Sequence, residues 1–157
     1  MKHVLTAAAV ALGGSGMIGG ALAADGKPIE VTGEIIDTWC YYSGVMGIPE
    51  AVTGSAHHTC AMWCAAGGIP VGMLTEDGTV YMVVKWEGSA DVADGVALLD
   101  VQAHTIQAKG TAYERDGINY LFVDEVVADL GITNVNHEDF GFIPPFTVPK
   151  DQRGGEQ

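Results

Sequence analysis

Cysteine is used sparingly in this chain: there are three, all between Cys40 and Cys64. The second pair stands in the run His57-His58-Thr59-Cys60-Ala61-Met62-Trp63-Cys64. On a helix, residues three, four and seven apart share a face, so His57, Cys60 and Cys64 point the same way. Cys40 ends an upstream apolar run and can close the set. Three thiolates and one imidazole complete a tetrahedral metal site. His58 and Met62 lie on a neighbouring face and join the candidate ligands, Met62 as a soft thioether. Thiolate and thioether donors favour copper(I), while a Cys3His set also satisfies zinc(II). A catalytic ion keeps one position open, so four candidate ligands point away from an enzyme.

The competing reading of the same residues is a disulfide, because an exported protein meets an oxidising compartment. Cys60 and Cys64 on one helical face run parallel, which is poor cystine geometry, so Cys40 with either of them is the better pair. That leaves an odd thiol, which needs a metal, a haem, an intermolecular bond or redox chemistry to explain it. The three-residue gap between Cys60 and Cys64 is not a thioredoxin-type spacing, and the Cys-x-x-Cys-His signature of covalent haem is absent. Haem ligated by His57 or His58 remains a further alternative to copper or zinc.

The elements that must hold these residues can be read from pattern. Pro28 to Asp37 reads as a strand ended by Thr38-Trp39-Cys40, followed by a loop from Tyr41 to Ser55. His57 to Ala66 reads as a helix, capped by Thr53 or Ser55 and stopped by Gly67-Gly68. Val71–Thr75 and Thr79–Trp86 flank Glu76-Asp77-Gly78, and Val101–Glu114 and Ile118–Val127 flank Arg115-Asp116-Gly117. Asp-Gly between apolar runs predicts a hairpin in each case. Asp91 to Asp100 reads as a short helix or turn. The sum is a mainly β fold: a small five-stranded OB-like barrel over residues 24–130, with one or two short helices. A small sandwich is the alternative. Residues 131–157 read as an extended C-terminal tail, since Pro144-Pro145 forbids regular structure. Its apolar residues favour wrapping on the domain over docking to a partner.

Residues 1–23 have the three-part pattern of a secretory signal peptide: a basic start at Lys2, an apolar run from Val4, and Ala21-Leu22-Ala23 before the expected cleavage. There is no Arg-Arg pair, and no Cys follows the cleavage site. The expected location is therefore periplasmic or secreted, with no membrane span after cleavage. The formal net charge is -13. Such an acidic chain repels phosphate backbones, which argues against nucleic acid. The charge suits solubility, or docking to a basic periplasmic or redox protein such as a soluble cytochrome.

Several blocks then carry a resemblance: Gly33-Glu34-Ile35-Ile36-Asp37-Thr38-Trp39-Cys40, then His57, Cys60 and Cys64, Gly67 to Leu74, Gly78-Thr79-Val80-Tyr81, and Ile106 to Thr111. Together they resemble a widespread, largely uncharacterised family of small exported bacterial domains, over about residues 30–127. The resemblance implies an OB-like barrel bearing a Cys/His cluster and brings no established activity. Cys-x-x-x-Cys is also similar to the spacing in Sco-type copper chaperones and the binuclear copper centre of cytochrome oxidase. Ala65 to Val71 supplies neither His nor Met, so only the copper-holding capacity of the spacing carries over.

Among other candidates, His104 reads as a half-buried strand residue and His137 as a surface one. Trp39 and Trp63 read as core or as a shield for the cysteines, and Tyr41 and Tyr42 as pocket lining. No nucleophile triad, phosphate loop or nucleotide fingerprint is present. The sequence therefore points to a metal-binding accessory protein in copper handling or electron-transfer support. Its rival is a disulfide-stapled interaction module or accessory subunit without metal.

Overall fold

The computed structural model describes residues 25–87 and 97–140 of the chain. The expected signal peptide, most of the Asp91–Asp100 segment and the tail beyond residue 140 lie outside the described residues. Five strands form a closed barrel: β1 (Lys27–Asp37), β2 (Val71–Thr75), β3 (Val80–Trp86), β4 (Thr105–Arg115) and β5 (Ile118–Asp129). Around the barrel the order is β1-β2-β3-β5-β4, and β4 closes onto β1. All pairings are antiparallel except β3 with β5. The expected small five-stranded barrel is thus the observed fold.

Alternation decides which side chains fill it. Val31 and Ile35 of β1, Val71 and Met73 of β2, Ile106 and Ala108 of β4, and Leu121 and Val123 of β5 form one buried cluster. Each pair is two or, in β1, four residues apart, as a pleated strand with one buried face requires. Gly110 continues the β4 series where β5 crosses closely: a Cβ there would collide with the Phe122 carbonyl oxygen. Glycine is needed at that bend because two backbones touch. The second hairpin turns through Asp116 and Gly117, both at positive φ, the geometry that matches strand twist. In the first, Asp77 Oδ1 accepts from the Thr75 hydroxyl and the Thr79 N–H, at 2.5 and 3.0 Å.

Three sequence expectations need correction. The stretch after β1 is not loop from Tyr41 onward: Thr38–Ser43 form a helix, α1, and Pro49–Val52 a 3-10 turn. The β4 strand begins at Thr105 rather than Val101, because the chain turns through Val101–Ala103. There Ala103 sits at positive φ and its N–H donates to the Ile35 carbonyl at 2.8 Å. The second helix, α2 (Gly54–Ala66), takes no hydroxyl cap from Thr53. Instead Glu34 Oε1 accepts from the Gly54 N–H at 2.6 Å, and Asn136 Oδ1 from the Ala56 N–H at 3.0 Å. The Asn134 carbonyl accepts from the Ser55 N–H at 2.9 Å. The Ser55 hydroxyl faces the other way, accepting from the N–H groups of Asn136 and His137 at 2.9 and 3.1 Å. The first turn of α2 is therefore held from both sides, by β1 and by the segment following β5. A second set of buried side chains, Ile36, Cys40, Ala51, Val52 and Ala61, lies outside the barrel cluster.

Candidate metal centre

The end of β1 turns directly into α1, and Asp37 makes that turn possible. Its Oδ1 accepts from the N–H groups of Trp39 and Cys40, at 2.8 and 3.2 Å, which satisfies two orphan donors of the helix. One oxygen is thereby fixed, and Oδ2 is left buried with no hydrogen-bond partner. Gly44, at positive φ, ends α1 and donates to the Cys40 carbonyl at 3.2 Å. The Thr38 hydroxyl and N–H both donate to the Pro70 carbonyl, at 2.5 and 3.3 Å. That tie brings the end of α2 and its Cys64 back to the start of α1.

The result is a compact donor group. One oxygen of Asp37 and the sulfurs of Cys40, Cys60 and Cys64 all lie within 4.8 Å of one another. Cys40 is buried, Cys64 half-buried and Cys60 exposed, and all three are free thiols. A tetrahedral ion with metal–sulfur bonds of about 2.3 Å holds its donors roughly 3.7 Å apart, so closure takes about an ångström of side-chain movement. The residues fit a thiophilic ion by donor chemistry, with three sulfurs gathered about the buried Asp37 carboxylate.

Electrostatics keep Cys40 and Cys64 protonated without an ion. Burial, reinforced by the neighbouring Asp37 carboxylate, pushes Cys40 up to about 12. Asp37 chiefly, then burial, pushes Cys64 up to about 12. Burial pulls the Asp37 value upward too, but the facing thiols of Cys64 and Cys40 and the two backbone N–H groups outweigh it and hold the carboxyl below its usual range. Asp37 is thus the anion and the two thiols keep their protons. A bound cation reverses the balance by displacing them.

The structure brings together three of the residues read from the sequence, Cys40, Cys60 and Cys64, and adds Asp37. His57 is not in the group of four. Its ring is 2 % exposed and stands behind Asp37, with Nε2 3.6 Å from Oδ2. Burial lowers the His57 value despite Asp37, so the ring is a neutral neighbour of the donors. His58 stacks on His104 instead, and Met62 is half-buried outside the group. His137 Nδ1 lies 2.9 Å from the Ser55 hydroxyl. Trp39 and Trp63 are not core: they are 55 % and 72 % exposed, each next to a cysteine of the group. The signal for Asp37 was the Asp-x-x-Cys spacing, an N-cap followed three residues later by a ligand. Comparison with known proteins returns no match: no family model, no curated protein and no solved structure.

Proposed function

We propose that this protein is a periplasmic metal-handling protein that takes copper(I) on Cys40, Cys60 and Cys64, with Asp37 as the adjoining carboxylate. The observation that carries the reading is the gathering of three sulfurs and one carboxylate oxygen within 4.8 Å. Copper(I) prefers soft donors, and three thiolates satisfy it without further ligands. The exposure of Cys60 gives the ion a solvent-side edge, which suits acquisition and release better than permanent structural use. Export rests on the signal-like residues 1–23 and the resemblance to small exported domains, and an acidic surface suits a basic redox partner. The test is anaerobic titration of the purified, reduced protein with copper(I) against a competing chelator, and with zinc(II) in parallel. One equivalent of copper(I), lost in Cys64→Ser and weakened less than tenfold in Asp37→Asn, is the expected result. A site that prefers zinc and depends equally on Asp37 assigns the fourth donor position to the carboxylate and replaces copper by zinc.

A second reading is favoured by the exposed apolar side chains around α1: Trp39, Tyr42, Val45, Met46 and Ile48, with Trp63 on α2. A patch of this kind marks an interaction surface. In that reading the cysteines serve as a cystine staple, and the protein is a metal-free subunit of an exported complex. Intact mass of native protein separates the two: a loss of two hydrogens with no metal supports the staple.

A further inference from the structure

Between Thr38 and Pro70 the only Asp, Glu, Lys or Arg is Glu50, although the chain carries a net charge of -13. This nearly uncharged stretch supplies α1, the 3-10 turn and α2, and with them a concentration of exposed apolar side chains. Trp39, Tyr42, Val45, Met46, Ile48 and Trp63 are each more than half exposed. Trp63 stands three residues after the exposed Cys60 on α2, so the two share a helix face. Trp39 precedes Cys40 at the start of α1, and the sulfurs of Cys40 and Cys60 lie within 4.8 Å of each other. The two indoles therefore flank one site, and Tyr42 to Ile48 continue the surface along the chain from α1. Together the six side chains offer roughly 800 Å², more than the largest apolar patch of a typical monomer and about what each partner of a standard interface buries. Charge decides the occupant. A basic partner is recognised by carboxylates, and every Asp and Glu but Glu50 falls outside this stretch. Two copies of the chain, each at -13, repel one another through their acidic surfaces, so a face without charge is where they can meet.

We propose that two copies of this chain associate face to face through the patch around Trp39, Trp63 and Cys60, as a two-fold symmetric dimer. Each copy gives and receives the same side chains, as a two-fold contact requires. The contact covers the exposed edge of the thiol group, so Cys60 is open in the monomer and closed in the dimer. It is made by apolar side chains and not by a cystine, and it stands whether or not the cysteines take copper. The test is sedimentation equilibrium of the purified, reduced, metal-free protein at concentrations up to about 1 mM. A reversible monomer–dimer equilibrium is expected, strengthened by added salt, which screens the like charges. Trp63→Glu and Tyr42→Glu should each weaken it at least tenfold, because one substitution places a charge on both sides of the contact. Val127→Glu, at an exposed apolar residue of β5, should leave it unchanged. Labelling of wild-type Cys60 by iodoacetamide guards against variants that misfold: it should slow several-fold once the protein is concentrated above its dissociation constant. A protein that stays monomeric throughout overturns the proposal and leaves the face to a different partner. A dimer that salt dissociates, that Val127→Glu weakens as much as Trp63→Glu, or that leaves Cys60 labelling unchanged overturns it as well.

Discussion

Cys60 is exposed while Cys40 is buried, and that gradient sets an order of chemical reactivity. Only the thiolate attacks an alkylating reagent, and Cys40 and Cys64 both stand at about 12. Iodoacetamide near neutral pH should therefore label Cys60 first and Cys40 last, and one equivalent of bound metal should protect all three. Peptide mass mapping over time reads the order directly, and labelling of Cys40 as fast as Cys60 would contradict this geometry. The same protons make metal uptake pH-dependent. Below about 12 both thiols are protonated in the empty protein, so each bound ion must displace at least these two protons. These two thiols alone should make apparent affinity rise with pH by about 100-fold per unit, ten-fold for each, and fall in acid. Competition titrations at several pH values give the slope, and a flat profile would show that the thiols are not displaced. At this scale the sequence was largely legible. The spacing of Cys60 and Cys64 on one helix and the nearness of Cys40 needed only helical periodicity. Asp37 was hidden because an aspartate at the end of a strand reads as punctuation. Its role depends on the chain turning at once into α1, where capping spends one carboxylate oxygen and aims the other at the thiols.

Among the elements, the join between β1 and α2 carries a cost that titration can expose. Glu34 is raised from 4.5 to about 7 by burial, even with the Gly54 N–H donating to it. A raised folded value means the folded state holds the proton more tightly than the unfolded chain between those limits. Stability from this group is therefore greatest in acid and declines as pH rises from 4.5 through about 7. The shift of about 2.5 units would correspond to about 3.4 kcal/mol, and partial solvent access brings the expected effect to roughly 2 kcal/mol. Glu34→Gln keeps an acceptor for Gly54 and never ionises. It should be more stable than the parent by that amount at about pH 8, and nearly equal to it at about pH 4. Urea unfolding at both values checks this, and a variant weaker at high pH would show that the charge is needed. The strands and both Asp-Gly hairpins were readable because period-two burial and turn chemistry are local. The parallel pairing of β3 with β5, which closes the barrel, joins segments far apart in sequence and leaves no local mark. The α1 helix was missed for a related reason: six residues do not nucleate alone, and the tie from Thr38 to Pro70 that fixes it is long-range. The start of α2 was misread because its donors are met by Glu34 and by Asn134 and Asn136, which no capping motif announces.

In the molecule as a whole, the donor group sits where three elements meet: the end of β1, α1 and the last turns of α2. No helix among the described residues is long and apolar enough to cross a membrane. An ion bound at the donor group links the three elements in the folded state and finds no such arrangement in the unfolded chain. Binding free energy therefore becomes folding free energy. At a free metal concentration about a thousand times the dissociation constant the gain is about 4 kcal/mol. For a domain of this size each kcal/mol moves the midpoint by roughly 3–5 °C, so loading should raise Tm by about 15 °C. A chelator strong enough to strip the ion should return the protein to its starting value, and reductant alone should leave the loaded midpoint unchanged. The stapled interaction module predicts the opposite pair of results, because a cystine is indifferent to chelators and is broken by reductant. Calorimetry of one preparation under the four combinations of metal and reductant distinguishes them. A midpoint that follows reductant and ignores metal would transfer the cysteines from ligation to cross-linking, and make the exposed Trp39, Tyr42 and Trp63 the functional surface.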